Sequence, residues 1–467
     1  MTRYLLTCPQ ALFSRLTESD DPSVEHLAYD DCGVSRYGDH VEFLLREVQT
    51  LDESDYVSRS AGLVRTSHES TWKAWEQAGE DYAALVSCHS HTCTAFFSDT
   101  DNRHDGRVWR NVLDFCPHYI RMVAGTDGVV AQVISRENSE WTAIDEIKVV
   151  GPGGMKIIFP KNGEIRTDPK QIDGDLQDRT LRLGPGAKQA LDAIHGSNFA
   201  FLGAGGGNSI ASQFLKFLCP KRMIFIDADK IERHNANRFL GYRFGDEGIL
   251  KGETLTRETS SSHPEIETMV IAERFPNKNT IEALKQSDVI VSFPDNDPTR
   301  YDLSLFAARY HKPVFDAGTL IGYPAGDHQD PTRITARILT QFPGGPCLFC
   351  LGVEGGYSSQ IEDQVRASQA SYSNRPDLGP APQIITTNAL AASFLIRNIL
   401  AWFYPGLTES VPSYLQFEEL LPAIENLSSL FPRNPECPIC GDSFVAERGW
   451  GDLSPAQKGF IQPPKAT

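Results

Sequence analysis

Short apolar runs separated by amphipathic segments organise residues 198–320. Asn198–Gly203 (NFAFLG), Met223–Asp227 (MIFID), Met269–Ala272 (MVIA), Asp288–Phe293 (DVIVSF) and Pro313–Asp316 (PVFD) read as buried strands, with helical stretches between them. This is the βαβ rhythm of a doubly wound, mostly parallel sheet. Upstream, strand-like runs at Glu42–Val48, Ala83–Cys88, Val129–Ser135 and Met155–Phe159 predict a separate α/β or α+β unit. The most apolar stretch, Ala389–Tyr404, is interrupted by Arg397 and Asn398. It is too short and too polar to span a bilayer and predicts a buried helix.

Connectors divide the chain. Residues 160–177 (PKNGEIRTDPKQIDGDLQ) are polar and rich in Gly and Asp, which places a domain boundary there. The expected units are 1–165, a linker 166–177, and 178–467. Residues 354–382 read as a long mobile loop or crossover, and residues from 454 onward as a loose tail. A chain of 467 residues with 40% hydrophobic and 22% charged positions is an ordinary globular sequence of two or three domains. The net charge of −17 argues against nucleic acid or an anionic membrane as partner, while leaving room for a local phosphate site. Met1–Asp20 has no basic segment followed by a long apolar one, so no secretory signal is read. With four of the ten cysteines in two C-x-x-C pairs, the expected compartment is the reducing cytoplasm.

Gly203-Ala204-Gly205-Gly206-Gly207 follows the first of these strands and precedes a helical pattern. Such a loop lets backbone approach a phosphate or ribose at a helix N-terminus. The next strand ends at Asp227, twenty-four residues after Gly203, where an acid can accept from ribose hydroxyls. To this point a dinucleotide dehydrogenase would fit equally. The segment Asp227-Ala228-Asp229-Lys230-Ile231-Glu232-Arg233-His234-Asn235-Ala236-Asn237-Arg238 then resembles the D-x-D-x-(V/I)-x-x-x-N-x-x-R element of the ThiF/MoeB/HesA family. Lys251 follows thirteen residues later in a G-x-x-K context, and Asp295-Asn296-Asp297-Pro298-Thr299-Arg300 is similar to the family's D-N-x-x-x-R. Arg179-Thr180-Leu181-Arg182 stands like the R-Y-x-R element before the first strand. Asn208 replaces the usual sixth glycine of the loop, and Phe293 replaces the usual cysteine two residues before the Asp-Asn pair.

The resemblance covers about 290 residues and implies a Rossmann-like adenylation domain of the ubiquitin-activating type, using ATP and Mg²⁺. Adenylation joins a carboxylate to the α-phosphate and expels pyrophosphate, so it needs cations and positioning more than acid or base. By resemblance, Arg238 and Lys251 are the cationic clamps and Asp295 holds Mg²⁺. Gly203, Gly205, Gly206, Asp227, Asp229 and Asn235 contact the nucleotide. Arg182 reaches into a neighbouring subunit's site, which implies a homodimer. A surface ion pair is the other reading of Arg182.

Cys347-Leu348-Phe349-Cys350 and Cys437-Pro438-Ile439-Cys440 each offer two thiolates from one turn, and two such turns complete a tetrahedral zinc site. A Cys₄ site is closed and therefore structural, and the family carries one in these two places. Residues 351–436 contain no cysteine, so no thioester is expected on the crossover. Cys219, in the turn before a strand, reads as buried.

In the N-terminal unit, His89-Ser90-His91 follows a strand-like run, with Ser98 and Asp101 seven and ten residues after His91. Two histidines and an acid suit an open zinc site with a water in the fourth position. The run HSHTCTAFFSDTD resembles the H-x-H…S-x-x-D motif of JAB/JAMM metalloproteases, with Thr92 in place of the usual proline and a spacing one residue short. The resemblance implies an α+β JAMM/cytidine-deaminase-like domain. In it His89, His91 and Asp101 bind a catalytic Zn²⁺, Ser98 helps hold the oxyanion and a glutamate moves the proton. Glu25 is the choice, as the opening of a helix-like segment; Glu42 and Glu47 are alternatives.

Together the halves suggest activation of the C-terminal carboxylate of a ubiquitin-like protein ending in Gly, coupled to an isopeptidase, with a conjugating-enzyme-like acceptor. Activation of a sulfur carrier for cofactor biosynthesis, adenylation of a peptide or small acid, and a non-catalytic scaffold are the alternatives.

Overall fold

The computed structural model describes residues 2–18, 21–79, 81–160, 177–323, 330–353, 382–443 and 445–454. The expected linker 166–177 (Gln177 apart), the crossover 354–382 (Pro382 apart) and the tail beyond Ser454 lie outside them.

The N-terminal part runs β1 (Arg3–Pro9), α1 (Gln10–Thr17), β2 (Leu27–Tyr37), β3 (His40–Thr50), β4 (Tyr56–Ser60), β5 (Leu63–Thr66), α2 (His68–Ala78), β6 (Ala84–Ser90) and α3 (Asp99–Phe115). It continues through β7 (His118–Gly125), β8 (Gly128–Ser135), β9 (Thr142–Ala143), β10 (Glu146–Gly151) and β11 (Gly154–Ile158). Nine strands form one mixed sheet in the order β11-β10-β1-β3-β2-β6-β7-β8-β9. Leu6, Phe43, Leu45, Val86, Ile120 and Met122 fill its core.

The four predicted N-terminal strands are present, and β1, β2, β7, β9 and β10 join them. The helix expected to open at Glu25 is not there. Leu27–Tyr37 is an eleven-residue strand, buried along most of its length. The local pattern VEHLAY suits a helix, but β3 and β6 flank this segment and hydrogen-bond it as a central strand.

A bulge at Asp31/Cys32 breaks the β2–β3 register. Asp30 Oδ1 spans it, accepting from the N–H groups of Arg46 at 3.2 Å and Glu47 at 3.3 Å. Burial, then the neighbouring Glu47, push Asp31 up to about 7, against the pull of Arg46. A carboxyl raised in the fold contributes stability that is complete below its unfolded value and lost as pH rises through the folded one. Asp31→Asn is therefore expected to gain about 2–4 kcal/mol over the native chain at pH 8 and almost nothing at pH 4. Urea unfolding at the two pH values checks this.

The C-terminal part begins with α4 (Asp178–Leu181), α5 (Ala187–Gly196), β12 (Asn198–Leu202), α6 (Gly206–Leu215), β13 (Arg222–Ile226), α7 (Lys251–Ser260) and β14 (Glu267–Ile271). Then come α8 (Lys278–Lys285), β15 (Val289–Ser292), α9 (Asp297–Arg309), β16 (Val314–Gly322), β17 (Arg333–Gln341), α10 (Ile385–Phe403), β18 (Tyr414–Glu418) and β19 (Ala423–Asn426). The sheet order is β14-β13-β12-β15-β16-β17-β18-β19. Its first five strands are parallel and its last three pair antiparallel. The sequence of strands, reversing from β14-β13-β12 to β15-β16, leaves a switch point beside β12, where α/β sheets bind ligands. The buried helix read at Ala389–Tyr404 is α10, packed on α6 and on β16 and β17. Among the described residues no helix is long and apolar enough to cross a membrane.

The two sheets lock together through polar groups. Lys148 Nζ lies 2.7 Å from Asp288 Oδ1, His311 Nε2 lies 2.7 Å from Leu45 O, and Trp402 Nε1 donates to Gly151 O at 2.7 Å.

Candidate functional site

Gly203 directly follows β12 with φ 80, a left-handed conformation natural to glycine. Gly205 caps α6, whose N-terminus opens at the switch point. Gly207 faces Phe293, the residue that replaces the family's cysteine, and an added Cβ would overlap its ring. At Gly205 the same Cβ meets open space. Gly207→Ala is thus expected to cost about 1–3 kcal/mol by overpacking, whereas Gly205→Ala leaves stability within about 0.5 kcal/mol; thermal unfolding of the two variants distinguishes them.

Asn208 stands where the family's loop carries its sixth glycine. It lies inside α6, fully buried. Its amide donates to Leu202 O at 3.0 Å and Gly203 O at 2.6 Å, which ties the loop to the strand end.

Asp227 follows β13 directly. Its Oδ2 accepts from the N–H of Ala204 at 2.6 Å and its Oδ1 from that of Asp229 at 2.7 Å. Each oxygen keeps a lone pair for a ribose hydroxyl. Burial raises the carboxyl, and Lys251 opposes the rise. Lys251 is the first residue of α7, and its Nζ lies 2.9 Å from Asp229 Oδ2. Arg274, which no motif signalled, lies 3.5 Å from the other oxygen of Asp229. Arg238 Nη1 donates to His234 O at 2.8 Å and Asn237 Oδ1 at 3.0 Å, and burial lowers its pKa. Asn235 is buried, its Oδ1 accepting from Glu232 N at 2.9 Å, so that side chain shapes the loop carrying Arg238. Asp295 is exposed and accepts from Asn296 Nδ2 at 2.9 Å. Glycine loop, acid, cations and Asp295 thus gather around the C-terminal ends of β12, β13 and β15.

Asn388 completes the loop's surroundings and was missed. It is 1% exposed, an added Cβ at Gly206 would lie 2.9 Å from its Nδ2, and that nitrogen has no hydrogen-bond partner among the described residues. Its only sequence signal was its place, one residue before the apolar stretch of α10. Arg182 is exposed and pairs with Asp178 at 3.0 Å.

The four cysteines converge. Cys347 Sγ lies 3.7 Å from Cys437 Sγ, and Cys350 Sγ 3.6 Å from Cys440 Sγ. Thiolates around a tetrahedral zinc stand about 3.8 Å apart, so donor set and spacing fit that ion. Cys219 departs from expectation: it is half-buried, with left-handed φ 50, because the turn before β13 lies at the sheet's rim.

In the N-terminal sheet, His89 Nε2 lies 3.2 Å from His91 Nε2 and 3.3 Å from Asp101 Oδ1, and His91 Nε2 lies 3.7 Å from Asp101 Oδ2. Nitrogen ligands on a tetrahedral zinc are about 3.3 Å apart, so this set also fits. Burial raises the Asp101 carboxyl, but hydrogen bonds and charge from His89, and bonds from Ser98, outweigh it and hold Asp101 well below the usual range. Ser98 is the N-cap of α3: its Oγ accepts from Asp101 N at 3.2 Å and its N–H donates to Asp101 Oδ2 at 2.7 Å. The helix cap therefore holds the acid in place. Glu25, in the loop before β2, is 6% exposed and within electrostatic reach of His89 and Asp101, and burial raises its carboxyl. Glu42 is buried elsewhere, accepting from Thr7 Oγ1 at 2.5 Å and lying 3.8 Å from Lys312. Glu47 sits beside the bulge, its N–H on Asp30.

Residues 178–439 match the ThiF family. Over 251 residues the chain is 26% identical to the SAMP-activating enzyme E1 of Haloferax volcanii, covering 53% of this chain and 82% of that protein. It is 24% identical over 266 residues to the sulfur carrier protein adenylyltransferase of Thermus thermophilus, covering 56% and 87%. The adenylyltransferase and sulfurtransferase MOCS3 of Arabidopsis thaliana is 23% identical over 265 residues, covering 57% of this chain and 52% of that one. The match assigns no family to the N-terminal sheet. With the glycine loop, Asp227, Arg238 and Lys251 assembled at the switch point, the chain belongs to the ThiF family and is an adenylyltransferase of the E1/ThiF type.

Proposed function

We propose that the chain adenylates the C-terminal carboxylate of a small ubiquitin-like or sulfur-carrier protein ending in glycine. The observation that carries this reading is that Arg238 packs over Gly206 while Lys251 stands near Asp227, whose carboxylate accepts from Ala204 of the glycine loop at the N-terminus of α6. A carboxylate oxygen attacks the α-phosphorus of ATP, a new P–O bond forms, and the bond to the bridging oxygen breaks as pyrophosphate leaves. Arg238 and Lys251 neutralise the charge that builds on the phosphates, Asp227 orients the ribose, and Asp295 would hold an Mg²⁺ that neutralises further phosphate charge. Arg182 reaches a partner subunit's site once its exposed pair with Asp178 opens. No cysteine lies in residues 351–436, so the thiol or sulfur donor that attacks the acyl carbon comes from another protein, and AMP leaves as the bond to it breaks. The test is ATP-dependent exchange of radiolabelled pyrophosphate in the presence of ubiquitin-like proteins ending in Gly. Exchange that disappears when the terminal glycine is deleted supports the reading. Exchange indifferent to that deletion overturns it.

The N-terminal site supports a companion activity, hydrolysis of an amide bond at such a C-terminus. A zinc held by His89, His91 and Asp101 would supply a Lewis acid there. In this reading Glu25, its carboxyl raised by burial, carries the proton between water and the leaving amine, and Ser98 donates to the developing oxyanion. Elemental analysis should find one zinc fewer per chain in His89→Ala than in the native protein, together with lost cleavage of an isopeptide-linked ubiquitin-like substrate. An unchanged zinc content would sink this half of the proposal and leave the adenylation reading intact.

A further inference from the structure

A third cluster of ligand-type side chains lies at the rim of the C-terminal sheet, away from both sites described above. Cys219 sits in the turn before β13, and His263 and Glu265 in the turn between α7 and β14. One ligand atom from each lies within 4.8 Å of the other two. Cys219 Sγ and Glu265 Oε1 are 3.7 Å apart, close to the separation of about 3.5 Å that sulfur and oxygen ligands adopt on a tetrahedral zinc. Outer partners hold the three in place. Ser262 Oγ lies 3.0 Å from His263 Nδ1, the kind of contact that fixes the tautomer of a ligating imidazole. The Phe217 ring meets His263 edge-on at 5.2 Å. Gln177 donates to Phe217 O at 2.7 Å and reaches Cys219 Sγ at 3.7 Å. Cys219 also adopts a left-handed backbone (φ 50, ψ 56) that is uncommon for a residue other than glycine.

The geometry points to a zinc-class divalent cation bound by Cys219, His263 and Glu265, with its fourth position open to solvent. Thiolate, imidazole and carboxylate together suit a borderline-soft ion rather than Mg²⁺ or Ca²⁺. The position suggests what the ion does. Asp227 follows the far end of β13, and α7 begins with Lys251. The cluster joins the opposite ends of these two elements, where Lys216 Nζ also donates to Glu258 O at 3.2 Å. A bound ion staples the strand and helix that present the acid and the lysine, so its role is positioning and not chemistry.

The test uses the full-length chain, stripped of loosely held metal by a mild chelator and titrated with zinc against a chromogenic indicator. The native protein is expected to take up one equivalent more than Cys219→Ser and one more than His263→Ala. Cys219→Asp, which restores an anionic ligand, should recover binding with reduced affinity. Glu265→Gln, at the exposed ligand, guards against loss through misfolding. It should keep the native far-ultraviolet circular dichroism while weakening uptake by at least the roughly 10–100-fold that even outer-shell changes cost a metal site. Equal zinc uptake by the native protein, Cys219→Ser and Glu265→Gln would overturn the assignment. The Cys₄ and His89 sites are intact in all these variants, so failure here leaves the other readings untouched.

Discussion

Lys251→Ala and Arg238→Ala should each lower ATP–pyrophosphate exchange by about 10²–10³-fold, the loss seen when one preorganised charge-stabilising group is removed from a water-excluded site. The expectation rests on placement. Lys251 is fixed as the first residue of α7, tied to Asp229 at 2.9 Å and close enough to Asp227 to oppose its raised pKa. Arg238 is braced by His234 O and Asn237 Oδ1 on the loop that crosses Gly206. Both side chains are at least partly accessible and leave the apolar core unchanged, so the thermal unfolding of both variants should stay within about 0.5 kcal/mol of native. Steady-state exchange over a range of ATP concentrations checks the effect. A fall confined to kcat marks a group acting in the transition state, and a rise in KM alone marks uniform binding. Undiminished exchange in both variants would remove the cationic clamp from this site.

Cys437→Ser should have the largest effect on stability. The Cys437–Cys440 turn closes against Cys347 and Cys350 with sulfur separations of 3.7 and 3.6 Å. The chain then continues into the N-terminal sheet. Arg46 lies 3.6 Å over the Trp450 ring and donates to Arg448 O. Gly451 bridges Val34, Asp452 N donates to Val34 O at 2.6 Å, and Arg36 N donates to Asp452 Oδ2 at 2.8 Å. An added Cβ at Gly33 would strike the backbone of Gly449 and Trp450, so the fit admits no side chain there. Loss of a cysteine ligand frees the turn and with it this clamp. Zinc content should fall by one per chain, and the melting temperature by about 5 °C, the shift that several kcal/mol produce in a chain of this size. Amide exchange should quicken at Val34–Arg36, far along the sequence from the substitution. Loss of zinc without faster exchange there would mean that the cluster holds the adenylation core alone.

Much of the adenylation domain was legible because its signals are local. Buried parallel strands are continuous apolar runs, and the turns between them must carry glycine, acid and cation at set distances for the site to form. The five predicted strands of that domain, the helix of residues 385–403 and the paired C-x-x-C motifs all stand close to where the pattern placed them. His89, His91 and Asp101 were legible for the same reason, a short run in which strand end and helix cap follow closely.

What the sequence could not decide depended on partners distant along the chain. Leu27–Tyr37 has a local pattern compatible with a helix, and only its place between β3 and β6 makes it a strand. Asn388 lies 182 positions beyond Gly206 and reaches the loop only because α10 packs on α6. Cys219 and His263 stand 44 residues apart and meet because β13 and α7 run in opposite directions and return to the same rim. Period and motif specify how a segment presents its own side chains. Which segments meet is settled by the burial of two sheets and the helices that cover them, a free energy summed over the whole chain.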